Sequence, residues 1–266
     1  MYKGYYVKNP SKYSLLVTIA LATIALAALP YNNTRADSPI RFESPVTQVN
    51  LVELFSSEGC SSCPPADAWL GSLRRHPGLW TTFVPIEFHV DYWNKLGWID
   101  RFSKETFTSR QQQYAREWGN GNVYTPGFVL NGLEWRATGN DQSYTKTNSH
   151  KVGVLVAKQT APRKFFVTFK PLNANGAANW KMFGALLGNG LTSKIGSGEN
   201  SGKTLQHEFV VLSLVSEAMD ESTGELSAVL EFKAPQTSQA TSYSAAFWVT
   251  NDQRQKPIQV VGGDLK

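Results

Sequence analysis

The sequence predicts an α/β domain followed by an all-β, sandwich-like domain. Strand-like and helix-like segments alternate from Val46 to about Lys158, whereas only short strands follow Pro162. The composition is that of a globular protein, with 41% apolar and 18% charged residues. We therefore predict a leader at 1–36, the α/β domain at 37–160 and the β-domain at 161–266.

The first 36 residues have the pattern of a signal peptide. Three lysines, Lys3, Lys8 and Lys12, precede an uncharged run from Ser14 to Leu29 that is rich in Leu, Ala and Ile. Small residues at Thr34 and Ala36 favour cleavage before Asp37. An uncleaved N-terminal anchor is the alternative, although the apolar run is slightly shorter than the roughly 20 residues of a bilayer span. We expect a periplasmic or secreted protein with no stable membrane span after cleavage.

The basic character of the chain belongs largely to this leader. The sequence has 26 basic and 21 acidic residues, and four of the basic ones but none of the acidic ones lie within 1–36. Cleavage therefore leaves a net charge of about +1. This balance gives no reason to expect a nucleic-acid partner.

The α/β part begins with a strand, a short helix and a second strand. We predict strands at Gln48–Phe55 and Thr82–Phe88, parallel through a right-handed crossover, with a helix at Ala66–Leu73 between them. The helix is expected to begin after Pro64, because a proline disfavours helical angles at the residue before it. The connection after the first strand therefore lies at the carboxyl end of a parallel strand, where open α/β sheets have their active or binding sites.

A second helix and a hairpin follow. Apolar residues at helical spacing, Phe107, Tyr114, Ala115 and Trp118, mark the helix, with Ser103 as a candidate N-cap and Gly119 past its end. Thr125-Pro126 then opens a strand that ends in the Asn131-Gly132 hairpin turn. The bond before Pro126 is a candidate for the cis form.

The C-terminal half is expected to contain six short strands separated by Gly, Asn, Ser and Pro clusters. They are Lys164–Lys170, Trp180–Leu187, Leu205–Val215, Glu225–Lys233, Tyr243–Thr250 and Pro257–Val261. The Gly-rich stretch Gly188–Gly202 is most simply a long loop.

The two cysteines of the chain are Cys60 and Cys63, in a C-x-x-C arrangement between the first strand and the first helix. A disulfide across such a loop removes little unfolded-chain entropy, roughly 2 kcal/mol against ~4.7 kcal/mol for a hundred-residue loop. Stabilisation of the fold is therefore a poor explanation for the pair. In an exported protein the two cysteines can remain joined as a disulfide. The spacing favours redox chemistry, with an inert disulfide or a metal site as alternatives.

Specific motifs around the cysteines resemble a known family. Val52–Asp67, with its C-S-S-C-P-P core, is followed by His89-Val90-Asp91-Tyr92-Trp93 and Leu96-Gly97-Trp98, and the second half contains Gly198-Glu199-Asn200-Ser201-Gly202-Lys203. Together these resemble a group of uncharacterised secreted bacterial proteins within the thioredoxin superfamily. The resemblance implies a thioredoxin-like fold for the α/β domain. It also implies that Cys60 is the attacking thiolate, Cys63 the resolving thiol and Pro126 a cis-proline that lines the substrate groove and keeps metals off the pair.

We therefore expect an exported thiol-disulfide oxidoreductase, or a redox-dependent envelope protein, that acts on protein thiols or disulfides and needs no cofactor. Tyr92, Trp93 and Thr125 are candidates for an apolar substrate-binding rim, although the aromatic side chains there could equally pack between the two halves. One alternative is a non-enzymatic binding protein with an inert disulfide. Another is a copper or zinc site formed by Cys60, Cys63 and His89, since thiolate and imidazole are ligands for both metals.

Candidate bases for thiol exchange also lie near the cysteines. Glu53, Glu58 and Asp91 have carboxylates that could act as bases for thiol exchange. A helix cap or a surface charge is the simpler explanation for any one of them.

Overall fold

The structure is a computed structural model of the chain. It describes Met1, Gly4 and residues 39–136, 141–172, 179–222, 224–235, 239–251 and 254–265. The described residues from Pro39 onward form one compact unit. Apart from Met1 and Gly4, the predicted signal peptide lies outside the described residues. Within the described part no helix has the length and apolarity needed to cross a membrane.

The described residues contain fifteen strands and two α-helices. The elements of the first half are β1 (Arg41–Glu43), β2 (Asn50–Ser56), α1 (Pro64–Ser72), β3 (Phe83–His89), α2 (Glu105–Glu117), β4 (Gly127–Leu130), β5 (Leu133–Glu134) and β6 (Gly153–Ala161). Those of the second half are β7 (Lys164–Pro171), β8 (Lys181–Asn189), β9 (Leu191–Lys194), β10 (Thr204–His207), β11 (Val210–Ala218), β12 (Asp220–Ser222), β13 (Glu225–Glu231), β14 (Ser242–Thr250) and β15 (Gln259–Leu265).

These strands form one large mixed sheet and two smaller sheets. The large sheet has eight strands in the order β15-β14-β8-β11-β3-β2-β4-β5, and a five-stranded sheet has the order β1-β6-β7-β13-β12. Strands β9 and β10 form a two-stranded ribbon. Within the large sheet, β3 is parallel to β2 on one side and to β11 on the other. The predicted parallel pairing of the first two strands is thus confirmed.

The predicted fold class, an α/β thioredoxin-like domain followed by an all-β, sandwich-like domain, is wrong. Strands dominate, and the eight-stranded sheet takes β2–β5 from the first half and β8, β11, β14 and β15 from the second. The join is made by main-chain pairing of β11 with β3, where Glu87 N–H donates to the Phe209 carbonyl at 2.9 Å. The strands of the second half therefore do not form a sandwich of their own. The exact boundary at residue 160 stays a prediction.

The physical reason lies in the two strands that are buried on both faces. Along β8, Met182 and Leu186 face a core shared with the five-stranded sheet, while Phe183 and Leu187 face the core beneath α1 and α2. Strand β14 alternates in the same way, with Phe247 in one core and Trp248 in the other. One sheet thus serves two cores, and the two halves of the chain share it.

Several local predictions are confirmed with shifted boundaries. Helix α1 begins at Pro64, earlier than expected, because Cys63 keeps helical angles (φ −76°, ψ −37°) despite the following proline. The hairpin turn lies at Asn131 and Gly132, which both have positive φ. The predicted strand Leu205–Val215 is split into β10 and β11, since Phe209 takes a positive φ of 59°. The predicted loop Gly188–Gly202 contains β9.

Candidate functional site

The cysteine pair lies between the end of β2 and the start of α1. Cys60 and Cys63 form a disulfide with Cα atoms 5.4 Å apart. A turn brings the chain out of β2, with Cys60 N–H donating to the Ser57 carbonyl at 3.1 Å. Cys63 is the N-cap of α1, and its carbonyl accepts hydrogen bonds from the N–H groups of Ala66 and Asp67. The C-x-x-C motif is thus placed at a helix N-terminus, where the helix dipole stabilises a thiolate.

Both cysteines are buried, with 0% of their surface exposed, while Ser61 and Ser62 between them are exposed. The segment 195–203, which we call the covering loop, connects β9 to β10 and contacts the backbone of the cysteine loop. Asn200 Nδ2 donates to the carbonyls of Glu58 and Cys60, both at 2.9 Å. Ser61 N–H donates to Glu199 Oε2 at 3.2 Å. Asn200 is itself fully buried, so its hydrogen bonds to the backbone of the cysteine loop are shielded from water.

The predicted rim residues lie together beside this loop. Trp93 Nε1 donates to Thr125 Oγ1 at 2.8 Å, and a β-carbon at Gly59 would lie 3.2 Å from Trp93 Cβ. The Thr125-Pro126 bond is cis. Trp93 therefore links the residue before Cys60 to the residue before Pro126, and both Trp93 and Thr125 are half-buried.

Tyr92 belongs to the same group through Gln111 of α2. Tyr92 Oη donates to Gln111 Oε1 at 3.2 Å, and Gln111 Nε2 donates to the Tyr124 carbonyl at 2.6 Å. Burial raises the pKa of the Tyr92 hydroxyl to about 12. This side chain is therefore neutral at physiological pH and acts as a hydrogen-bond donor to Gln111.

A cluster of buried ionisable side chains lies behind the cysteine loop. We call it the histidine–carboxylate cluster, and its members are Glu58, Asp67, Glu87, His89, Asp100 and His207. Each of them is at most 4% exposed. They come from five segments: the turn after β2, helix α1, strand β3, the loop before α2 and the end of β10. The fold therefore gathers charge from both halves of the chain at one buried point next to the disulfide.

The cluster has well-formed hydrogen bonds on its outer side. His89 Nδ1 lies 2.7 Å from Asp100 Oδ2, which also accepts the Glu58 N–H at 2.8 Å. Ser56 Oγ donates to Asp67 Oδ1 at 2.6 Å, and Trp98 Nε1 donates to Glu58 Oε2 at 2.7 Å. These bonds fix the orientation of the Asp100, Asp67 and Glu58 carboxylates.

The inner side is different, since within the described part of the chain no hydrogen bond reaches the atoms that face one another there. His207 Nε2 lies 3.5 Å from Glu58 Oε1 and His207 Nδ1 lies 3.5 Å from Asp67 Oδ2, while His89 Nε2 lies 3.4 Å from Glu87 Oε1. These separations exceed the roughly 2.7–3.2 Å of good hydrogen bonds.

Mutual charge interactions shift the pKa values of the cluster strongly. Burial lowers the pKa of His89, but the carboxylates of Asp100 and Glu87 outweigh it and hold that pKa well above its usual value. Burial likewise opposes the charged form of His207, and its contacts with Asp67 and Glu58 raise its pKa to about 9. Burial, together with the Asp67 carboxylate, raises the pKa of Glu87 to about 7.

The carboxyls on the outer side shift the other way. Burial raises the pKa values of Glu58 and Asp67, but contact with His207 outweighs it and lowers both. The pKa of Asp100 is likewise lowered, since the charge of His89 and two backbone donors outweigh burial. At neutral pH the two histidines are thus cationic and these three carboxyls anionic.

The three candidate bases have other partners here. Glu53 accepts a 2.8 Å hydrogen bond from Arg110 Nε and a 2.5 Å bond from Tyr114 Oη, so it belongs to a separate buried ion pair. Asp91 accepts from Thr108 Oγ1 at 2.6 Å, and Glu58 belongs to the histidine–carboxylate cluster.

The structure brings most of the predicted site residues to one region, but His89 and the cysteines have different bonding partners. Cys60 and Cys63 are paired with each other, whereas His89 contacts Asp100 and Glu87. Among the described residues, the side chains spaced to hold a metal are Glu87, His89 and His207. The set of Cys60, Cys63 and His89 stays a prediction for the reduced protein.

Sequence reasoning named His89 and Glu58 but missed the other four members of the cluster, and it assigned no role to Asn200. One signal was readable, because Glu87 and His89 are charged residues two apart inside an apolar strand and so share a face. His207 gave no such signal, and Asn200 belonged to the Gly198–Lys203 motif without a role of its own. Their proximity to the cysteines depends on strand pairing across the chain.

Comparison with solved structures supports the fold. The protein AGR_C_4864 of Agrobacterium tumefaciens, known from X-ray crystallography, is 24% identical and superimposes with a TM-score of 0.57, covering 82% of this chain and 94% of its own. HBP35 of Porphyromonas gingivalis is 14% identical, with a TM-score of 0.58, covering 84% of this chain and 76% of its own. At these identities the likeness concerns the fold alone.

Sequence comparison identifies the family. No curated protein matches the chain. A family model described as a protein of unknown function, DUF1223, matches residues 51–250, which include both cysteines, the histidine–carboxylate cluster and the covering loop. The chain therefore belongs to the DUF1223 family of proteins of unknown function.

Proposed function

We propose that this protein is an exported thiol-disulfide oxidoreductase, or a redox-dependent envelope protein, that works through the Cys60–Cys63 pair. The observation that carries the proposal is a disulfide between cysteines three positions apart in the sequence, at the N-terminus of α1. A loop of this size stabilises the fold little, so its value lies in its chemistry. The helix N-terminus favours the thiolate that thiol-disulfide exchange needs.

The exchange proceeds in two steps through a mixed disulfide. When the protein acts as oxidant, a partner thiolate attacks Cys60 Sγ, the Cys60–Cys63 bond breaks, and Cys63 leaves as a thiolate. A second partner thiolate then attacks the partner's sulfur in the mixed disulfide and releases Cys60. Two electrons pass from the partner to the cysteine pair. In the reverse direction the Cys60 thiolate attacks a partner disulfide and Cys63 resolves the intermediate.

Neighbouring groups support Cys60 as the attacking residue. Its Sγ lies 3.4 Å from Ser62 Oγ, a hydroxyl that can donate to a thiolate. Trp93, Tyr92 and Thr125, with cis-Pro126, form the adjoining wall, and we assign to them the binding of the partner's backbone and apolar side chains. Protein thiols or disulfides of the envelope are the proposed partners.

Access to the sulfurs requires a movement, because both cysteines are fully buried. The hydrogen bonds of Asn200 to the cysteine loop must open before a partner can reach Cys60. In this proposal the covering loop acts as a gate that opens when a partner docks on the neighbouring wall.

The same burial favours a second candidate, a non-enzymatic binding protein whose disulfide is inert. A disulfide enclosed by its own chain is protected from reductants and partners alike. In that case the exposed apolar side chains beside the site, Leu96 (50% exposed) and Ile99 (77% exposed), would contact the partner without exchange of sulfur bonds.

A redox titration separates the two candidates. The purified protein is equilibrated in glutathione and dithiothreitol buffers of graded potential, and free thiols are alkylated and counted by mass. A midpoint of about −120 to −270 mV supports exchange, whereas a midpoint below about −300 mV identifies an inert bond.

Trapping in cells supplies the matched control. Cys63→Ala is expected to hold partners in mixed disulfides through Cys60, and Cys60→Ser is expected to hold none. Fractionation of the same cells, with N-terminal sequencing of the protein, tests export and the predicted cleavage before Asp37.

A further inference from the structure

We propose that Glu87, His89 and His207 form a buried binding site for one divalent first-row transition metal ion, with zinc as the reference ion. This site is distinct from the cysteine pair. One donor atom from each of the three side chains lies within 4.8 Å of the others. All three side chains are 0–1% exposed.

One donor separation in this group fits a metal better than it fits a direct hydrogen bond. His89 Nε2 and Glu87 Oε1 are 3.4 Å apart. A tetrahedral zinc ion with ligands at about 2.0–2.1 Å holds its donor atoms about 3.3 Å from one another. The observed separation is therefore close to one edge of such a coordination shell.

His89 is oriented as metal-binding histidines are. Its Nδ1 contacts Asp100 Oδ2 at 2.7 Å, and Asp100 also accepts backbone N–H groups from Glu58 and Phe102. An anionic Asp100 with those donors accepts the Nδ1 proton in a hydrogen bond, so the proton that a metal ion displaces from the ring is the one on Nε2, which faces Glu87. A carboxylate that fixes a histidine in this way is the usual outer partner of a metal ligand.

His207 also lies between two carboxylates, at longer distances than the one from His89 to Asp100. Its two ring nitrogens face Glu58 and Asp67, each at 3.5 Å. When one nitrogen binds the ion, the carboxylate opposite the other nitrogen can orient the ring.

Unpaired polar atoms concentrate at this point. Among the described residues, buried atoms without a hydrogen bond include both oxygens of Glu87, Nε2 of His89 and both ring nitrogens of His207, together with Glu58 Oε1 and Asp67 Oδ2. Buried polar groups are normally paired, so such a group of unpaired atoms in one place indicates a missing ligand.

Charge and donor type indicate the class of that ligand. The cluster has four carboxyl groups and two imidazoles, and in the described part of the chain no lysine or arginine pairs with any of them. A divalent cation can therefore bind here in exchange for the ring protons of His89 and His207. Mixed nitrogen and oxygen donors suit zinc, cobalt, iron(II) or manganese, whereas calcium and magnesium prefer oxygen alone.

The test uses full-length protein purified without a histidine tag. It is unfolded in guanidinium chloride with EDTA, its disulfide kept intact, and refolded with or without a small excess of zinc. Refolding is needed because the ligands are enclosed, so an ion is expected to be captured as the chain folds. After gel filtration we expect about one zinc ion per chain by mass spectrometry.

Matched variants locate the ion. Glu87→Gln and His207→Gln are expected to reduce bound zinc at least tenfold, while His150→Ala, which alters an exposed histidine, leaves it unchanged. The double variant Cys60→Ser with Cys63→Ser is also expected to keep its zinc. The proposal is overturned by less than a tenth of an ion per wild-type chain, by full zinc in Glu87→Gln, or by loss of zinc in the cysteine variant alone.

A measurement on the wild type decides the matter even where a variant does not refold. Protein refolded with cobalt(II) is expected to give hyperfine-shifted NMR signals from two imidazole rings and no sulfur-to-cobalt charge-transfer band. Cobalt protein without shifted imidazole signals, or with the sulfur band, contradicts the site. The redox titration of Cys60 and Cys63 is independent of these outcomes.

Discussion

Replacing Asn200 with Ala is expected to speed up chemical reduction of the Cys60–Cys63 disulfide. The Asn200 side chain makes two hydrogen bonds, both 2.9 Å long, to the carbonyls of Glu58 and Cys60. Each such bond contributes about 1 kcal/mol net, so their loss lowers the free energy of opening the covering loop by about 2 kcal/mol. Every 1.4 kcal/mol is about tenfold in an equilibrium, which makes the expected acceleration about 30-fold.

The assay is the rate of reduction by dithiothreitol under native conditions, with free thiols alkylated at intervals and counted by mass. Ser201→Ala is the matched control within the same loop. Its hydroxyl is exposed and contacts the Gly196 carbonyl at 3.4 Å, away from the cysteines. Its reduction rate should equal that of the wild type.

A second control separates loop opening from global unfolding. Leu155→Ala removes a fully buried side chain from the core shared with the five-stranded sheet and should cost about 2–5 kcal/mol of stability. If the covering loop is the gate, this variant is reduced much more slowly than Asn200→Ala. Equal rates for the two variants, or an Asn200→Ala rate equal to that of the wild type, would refute the reasoning.

Three further changes test the packing around the site. Glu53→Gln leaves the buried Arg110 without its counter-charge and should lower the free energy of unfolding in guanidinium by about 3–5 kcal/mol. Glu43→Gln in an exposed pair should lower it by about 0–1 kcal/mol, and equal losses would contradict a buried ion pair at Glu53. Trp93→Ala, in the background that traps mixed disulfides, should lower the trapped yield about tenfold or more, and an unchanged yield with reduced stability would assign this side chain to packing alone. Gly127→Ala places a β-carbon 2.9 Å from a backbone oxygen and should cost about 1–3 kcal/mol, so an unchanged melting temperature would contradict the close approach.

Elements set by local physical chemistry were predictable from the sequence. Strand β2, the cysteine loop, the parallel strand β3 and the Asn131-Gly132 hairpin depend on apolar runs and turn residues that are contiguous in the chain. The cis bond before Pro126 was also anticipated, because it too is a local property of an X-Pro pair.

The architecture was not predictable in the same way. Strands β8 and β14 are apolar on both faces, a pattern that fits a sandwich core as well as a shared central sheet. Pairing of β11 with β3 joins residues more than a hundred positions apart, for which the sequence has no local sign. The positive φ of Phe209, which separates β10 from β11, is unusual for a large aromatic residue and could not be foreseen.

The residues of the site likewise include some that are predictable from a local motif and others that are not. Cys60 and Cys63 form a short motif and were predicted directly, whereas the histidine–carboxylate cluster needs strands, a helix and loops from both halves to assemble. Burial of the disulfide was missed for the same reason, since Asn200 lies 140 positions from Cys60.

The shared sheet has a consequence for how this protein can be divided or recombined. A fragment ending near residue 160 would keep the C-x-x-C motif and cis-Pro126, but it would lack Asn200, His207 and the strand that pairs with β3. Grafting the cysteine segment onto another protein would transplant the sulfur atoms without their enclosure. Exchange of halves between relatives would likewise succeed only where both partners of each cross-chain contact are inherited together, so the two halves are expected to change as one unit.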